Sequence, residues 1–188
     1  MKEIKLEQVM AYQNEDIVAR FIKNYGVDKE QANIIFDDVK RWLWLAYKVR
    51  AEGIKKPLVI DAQLVVLDEM WHNFILFTRE YSGFCKALFG QYLHHSPNTE
   101  SNKKKEADKY KDMSVAERKK ILMDSKRWQY EFIYDHLGKD VFIRWYKEYP
   151  SQYTVESLCQ MAYEAEHQRS ENKRNEFERM RGEMSGAA

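Results

Sequence analysis

The chain predicts an all-α fold: one irregular bundle of about six or seven helices in a single domain. Three observations carry this. Apolar residues recur at three- and four-residue spacing through several long windows. Capping residues stand where those windows begin, and glycine stands where most of them end. No alternating strand pattern of any length competes with them. The 188 residues suffice for one domain with a substantial core. The 44% hydrophobic and 32% charged shares are those of a soluble globular protein. Aromatic residues reach 14%, which points to a core filled by large flat side chains.

The elements follow in order. Asn14 caps an amphipathic helix over residues 15–24, with Ile17, Val18, Phe21 and Ile22 on one face, and Gly26 ends it. Asp28 with Gln31 forms a capping-box variant that opens a longer helix. Its apolar positions are Ile34, Ile35, Val39, Trp42, Leu43, Ala46 and Val49, and Gly53 stops it. Residues 57–60 form a short extended or turn segment. Asp61 caps the next helix, which carries Trp71 and His72. Thr78, Tyr81 and Phe84 continue that helix or restart it after a bend, and Gly90 terminates it.

Residues 91–113 read as an exposed loop, because they are polar and lack periodicity. Ser114 and Glu117 then form a capping box. Their helix runs through Ile121, Leu122, Trp128, Phe132 and Ile133 to Gly138. Asp140 opens a short helix containing Phe142, Ile143, Trp145 and Tyr146, which ends at Pro150. Thr154 caps the last helix. Its first half is amphipathic through Val155, Leu158, Cys159, Ala162 and Tyr163. Its second half, 164–181, is almost wholly charged, with only Phe177 and Met180 as large apolar residues, so it should project into solvent or fray. Residues 182–188 read as a mobile tail. The expected division is a helical domain over 1–163 and a charged extension over 164–188. No repeat of 20–50 residues is visible.

A net charge of +1 argues against nucleic acid or an anionic membrane as partner, since both favour a basic excess. The run Lys103 to Lys105 is too short for a nucleic-acid footprint. Cys85 and Cys159 follow no metal or disulfide spacing, and both read as inert buried thiols. The first residues do not form a signal peptide, and no apolar stretch spans a bilayer. A cytoplasmic location is the expectation.

Chemistry concentrates in one region. Three of the five histidines (His72, His94 and His95) fall within residues 67–97, and Asp68 and Glu69 stand just before the first of them. Asp68 and His72 are one turn apart on a helix, so their side chains share a face. Such a pair can hold a metal ion, or the carboxylate can orient the imidazole. Glu69 is rotated away from that face. Gly90 lets the chain fold back, which brings His94 or His95 to the pair, and Pro97 stiffens the exit. Two histidines and one carboxylate are a ligand set of zinc and of non-haem iron. Trp71, Tyr81 and Cys85 would surround the ligands. The alternative is a buried structural Asp68–His72 pair. His136, close to Gly138, reads as a cation complementing a helix end. His167 should be exposed. Trp42, Trp44, Trp128 and Trp145 read as core. No phosphate loop, nucleophile elbow or kinase signature occurs, so no catalytic residue is assigned.

The block Asp68-Glu-Met-Trp-His72, then Thr78-x-x-Tyr81-x-x-Phe84-Cys85, then Phe89-Gly90 and His94-His95-x-Pro97, resembles the glycine-rich domain-containing protein-like family. More narrowly it resembles the short bacterial members without the glycine-rich part. Tyr134-x-x-Leu137-Gly138 and Trp145-Tyr146-x-x-x-Pro150-x-x-Tyr153 fit the same pattern, so the resemblance spans roughly residues 30–155. It implies a compact helical domain. Plant members join that domain to other modules and are linked with development and stress responses. This chain has no such modules, and that role is not carried over. Plant-type members often carry a second histidine two residues after the Trp-His pair, where this chain has Phe74. The resemblance thus implies one ligand fewer, unless His94 or His95 replaces it.

Two functional expectations result. The first is an interaction module in which the Trp-His block is packed core and the charged C-terminal helix binds a protein partner. The second is a divalent-metal site, zinc or non-haem iron, at Asp68, His72 and His94 or His95, with or without enzymatic chemistry.

Overall fold

The computed structural model describes residues 3–96 and 99–186. Pro97 therefore lies outside the described residues, as does the end of the tail. All regular structure among them is helical. The elements are α1 (Leu6–Met10), α2 (Glu15–Tyr25), α3 (Lys29–Ala51), a 3-10 turn (Ala62–Leu64), α4 (Val65–Leu76), α5 (Thr78–Phe89), α6 (Glu100–Lys109), α7 (Val115–Ile143), a π-helical turn (Arg144–Glu148), α8 (Tyr149–Gln152) and α9 (Val155–Gly186). Among the described residues, no helix is long and apolar enough to cross a membrane.

The local signals act where the sequence places them. The Asn14 carboxamide accepts from the backbone amides of Asp16 and Ile17, and Gly26 closes α2 at φ 67°. Asp28 accepts from the amide of Gln31 at the start of α3. Ser114 and Glu117 form the reciprocal capping box of α7, and its hydrogen bonds hold the exposed Glu117 carboxyl below the usual carboxylate range. Asp61 caps the 3-10 turn that leads into α4. Phe77, at φ −83° and ψ 66°, separates α4 from α5, so the helix restarts. Gly138, at φ 82° and ψ 177°, breaks α7 in a backbone region open in practice to glycine alone.

Three expectations need correction. Residues 91–113 are not wholly loop: Thr99 caps the exposed helix α6, which buries none of its described side chains and so needs no apolar periodicity. Cys159 is exposed, and only Cys85 is a buried thiol. On the first half of α9, Leu158 is buried, whereas Val155 and Tyr163 face solvent. α9 packs on α2, which takes only a narrow stripe of it. The Arg169 guanidinium donates to the carbonyl of Lys23 at 2.9 Å.

The core lies around α3, whose Ile35, Phe36, Val39, Leu43 and Leu45 are sealed from solvent. Trp42 packs against Trp145 with ring centroids 5.9 Å apart. Trp44 and Trp128 are half-buried against the same core. His136 does more than complement a helix end. Its Nδ1 bonds the carbonyl of Phe132 at 2.8 Å, and its ring lies between Phe132 and Trp44.

Buried polar groups fasten the elements. Asp38 is fully buried and accepts from Arg144 twice, at 2.7 and 2.8 Å, from the Tyr149 hydroxyl at 2.6 Å and from Arg41 at 2.8 Å. Lys40 is equally buried. It donates to the carbonyls of Met10 and Tyr12 and pairs with Asp37 at 2.8 Å. Burial pushes its pKa down, against the pull of Asp37. Gln129 reaches the segment before the 3-10 turn. Its side-chain oxygen accepts from the amide of Val59 at 2.8 Å, and its nitrogen donates to the carbonyl of the same residue at 3.0 Å.

Candidate metal centre

α4 presents two faces of different chemistry. Met70 and Phe74 are fully buried, and Phe74 packs edge-on against Phe36 at 5.3 Å and Tyr81 at 5.0 Å. Asp68 and His72 lie on the outer face. Positions 72 and 74 are two residues apart and point to opposite sides of the helix. A histidine at 74 would therefore enter the core, and Phe74 takes nothing from a site at His72.

The backbone folds back after Gly90, which ends α5 at φ 68°. Residues 91–96 then return along α4 and bring in His95. Its Nε2 lies 2.8 Å from Asp68 Oδ1, while His72 Nε2 lies 3.9 Å from Asp68 Oδ2. One ligand atom from each of Asp68, His72 and His95 falls within 4.8 Å of the others. The two imidazole rings approach to 4.7 Å. The buried Asp68–His72 pair is not what forms: His72 is 45% exposed and too far from Asp68 for a hydrogen bond, and Asp68 bonds His95 instead. His94 stands apart from the three, exposed and against the ring of Tyr92 at 4.8 Å.

The surrounding groups fix these positions. The Tyr81 hydroxyl donates to the carbonyl of Leu93 at 2.6 Å and accepts from Trp71 Nε1 at 3.0 Å. One phenol thus ties α4 to the segment carrying His95, and the Trp71 ring rests on His95 at 4.2 Å. Burial pushes the pKa of Tyr81 well above the ordinary tyrosine value. Cys85 is packed beside this link, and burial raises its thiol pKa. It does not reach the three ligands.

Residues without a legible sequence signal support the other flank. Asn73 donates to the carbonyl of Ile17 at 2.8 Å and accepts from Arg20 at 2.6 Å. The Tyr25 hydroxyl donates to Glu69 at 2.6 Å, so Glu69 is held by α2 rather than free in solvent. Burial, then the Glu69 bond, raises the Tyr25 pKa. Glu69 Oε1 lies 3.9 Å from His72 Nδ1, on the side of the ring away from Asp68.

The cluster opens onto a cleft of about 590 Å³, lined by Asp68, His72, His94 and His95 together with Trp42, Ala46, Leu58, Val59, Ile60 and Trp71. Four-coordinate zinc with ligands at about 2.0–2.1 Å needs ligand atoms roughly 3.4 Å apart. The observed separations, 2.8 Å from His95 to Asp68 Oδ1 and 3.9 Å from His72 to Asp68 Oδ2, lie on either side of that value.

Comparison with known proteins yields a match to the family model described as UCP032817-like, over residues 5–122, more than half of the chain and including the whole block from Asp68 to His95. No curated protein matches. No solved structure matches either.

Proposed function

The chain belongs to the UCP032817-like family, an uncharacterised one, and on that premise we propose from its geometry that it binds a divalent metal ion, zinc or non-haem iron, through Asp68, His72 and His95. The carrying observation is the convergence of these three side chains in the lining of a cleft. Two histidines and one carboxylate suit zinc with one open position, or iron with several. Glu69 beside the far nitrogen of His72 is placed to orient that ring. The same central block supports the likeness to short glycine-rich domain-like proteins. A cytosolic location fits two cysteines that are both free.

The test is a Zn²⁺ titration of untagged protein by calorimetry. Stoichiometric binding is expected, with a loss of about a hundredfold or more in Asp68→Asn and in His95→Ala, since each removes one of three ligands. Binding that is unchanged in both variants would mean that the Asp68–His95 bond is only a structural tie.

A second reading is favoured by α9, whose distal half exposes Phe177 and Met180 among charges of both signs. There the charged C-terminal helix docks a protein partner. Deleting residues 171–188, beyond the Arg169 contact with α2, should abolish co-purification of that partner and leave Zn²⁺ binding intact. Retention of every co-purifying protein would remove this reading.

A further inference from the structure

The cleft has a composition that restricts what it accepts. Trp42, Ala46, Leu58, Ile60 and Trp71 line it together with the ligand triad, beside the polar Ser96 and Asn102. No lysine or arginine is among its lining residues. An ion of charge +2 held by two neutral imidazoles and one carboxylate leaves the site at +1. The ion would then be a cationic group in a cleft otherwise without one among the described lysines and arginines, and it would have a coordination position to spare.

We propose that the cleft binds a small molecule with an apolar body and a single carboxylate-type head, the head completing the coordination of the ion at Asp68, His72 and His95; this rests on the metal reading above. Charge selects the head: a monoanion neutralises the +1 site, and oxygen ligands suit zinc and iron. The wall selects the body, because apolar atoms laid along Trp42 and Ile60 leave water there. His94 lines the same cleft outside the triad, with its ring against Tyr92. Without the ion, the carboxylate of Asp68 repels the same head, so binding is metal-dependent.

The experiment uses full-length protein with Co²⁺ as the probe ion, whose visible absorption reports changes of ligand. Octanoate, acetate and 1-octanol are then titrated into the loaded protein. Octanoate should perturb the band and bind about a hundredfold more tightly than acetate, which lacks the apolar body, and about tenfold more tightly than 1-octanol, which lacks the charge. Ala46→Phe fills part of the cleft at a lining residue that is no metal ligand, and should weaken octanoate about tenfold or more while Co²⁺ uptake stays as in the parent. Val59→Asp, at a half-exposed position of the wall, is a second variant that does not burden folding, and it should weaken octanoate in the same way. If no Co²⁺ band forms, the metal reading fails and this inference falls with it. If the band forms but octanoate binds no better than acetate, or both wall variants bind it like the parent, the metal reading stands and the proposed ligand class is overturned.

Discussion

Asp38→Ala should lower the free energy of unfolding by about 3–5 kcal/mol, measured by urea denaturation. The carboxylate is sealed from solvent and accepts four hydrogen bonds, two from Arg144 and one each from Arg41 and Tyr149. Its removal leaves two largely buried guanidinium groups and a buried phenol without their acceptor. The size of the loss reflects breaking the set rather than the worth of having it, because burying charge has its own large desolvation cost. The double variant Asp38→Leu with Arg144→Met should therefore recover much of the stability lost in Asp38→Ala. Against a total of about 5–15 kcal/mol for a domain, the single change is large. A shift below about 1 kcal/mol would mean that water satisfies the orphaned groups.

Tyr81→Phe should cost about 2–4 kcal/mol, because it orphans two buried partners, the Trp71 indole N–H and the Leu93 carbonyl. It should also weaken Zn²⁺ about tenfold, since the segment bearing His95 loses its tie to α4 while all three ligands remain. A purely structural Tyr81 would lower stability and leave metal affinity alone. The phenol also sets a pH signature. Its folded pKa is raised by burial, so above about pH 10 the unfolded chain releases the proton while the folded one keeps it. Its stabilising effect is thus full below about pH 10 and is lost progressively above it. Burial raises Tyr146 and Tyr149 in the same sense, so the parent protein should lose urea resistance in alkali. In Tyr81→Phe that decline should be shallower.

Much of the helical framework is legible in the sequence because its signals are local. Asn14, Asp28 and Ser114 cap amides only two or three residues away, and Gly26, Gly90 and Gly138 adopt positive φ on their own account. α6 escapes that reading because its described side chains are all exposed, and periodicity records burial rather than helicity. Buried polar residues escape for another reason. Asp38, Asn73 and Gln129 look like surface residues until partners 53 to 111 positions away are known. At the candidate site, the Asp68–His72 face follows from one helical turn. Which neighbouring histidine joins them depends on the path of residues 91–96, set by the Tyr81 bond to Leu93.

The Gln129 side chain, bonded to both the amide and the carbonyl of Val59, has a consequence for association. An extended backbone offers donor and acceptor in the same pattern that an incoming β-strand uses, and an unpaired edge of this kind recruits other chains. The carboxamide sets its oxygen and one N–H against Val59, as a neighbouring strand would, while its nitrogen also donates to the Tyr146 hydroxyl. At Val59 the backbone is closed to a foreign chain on that edge.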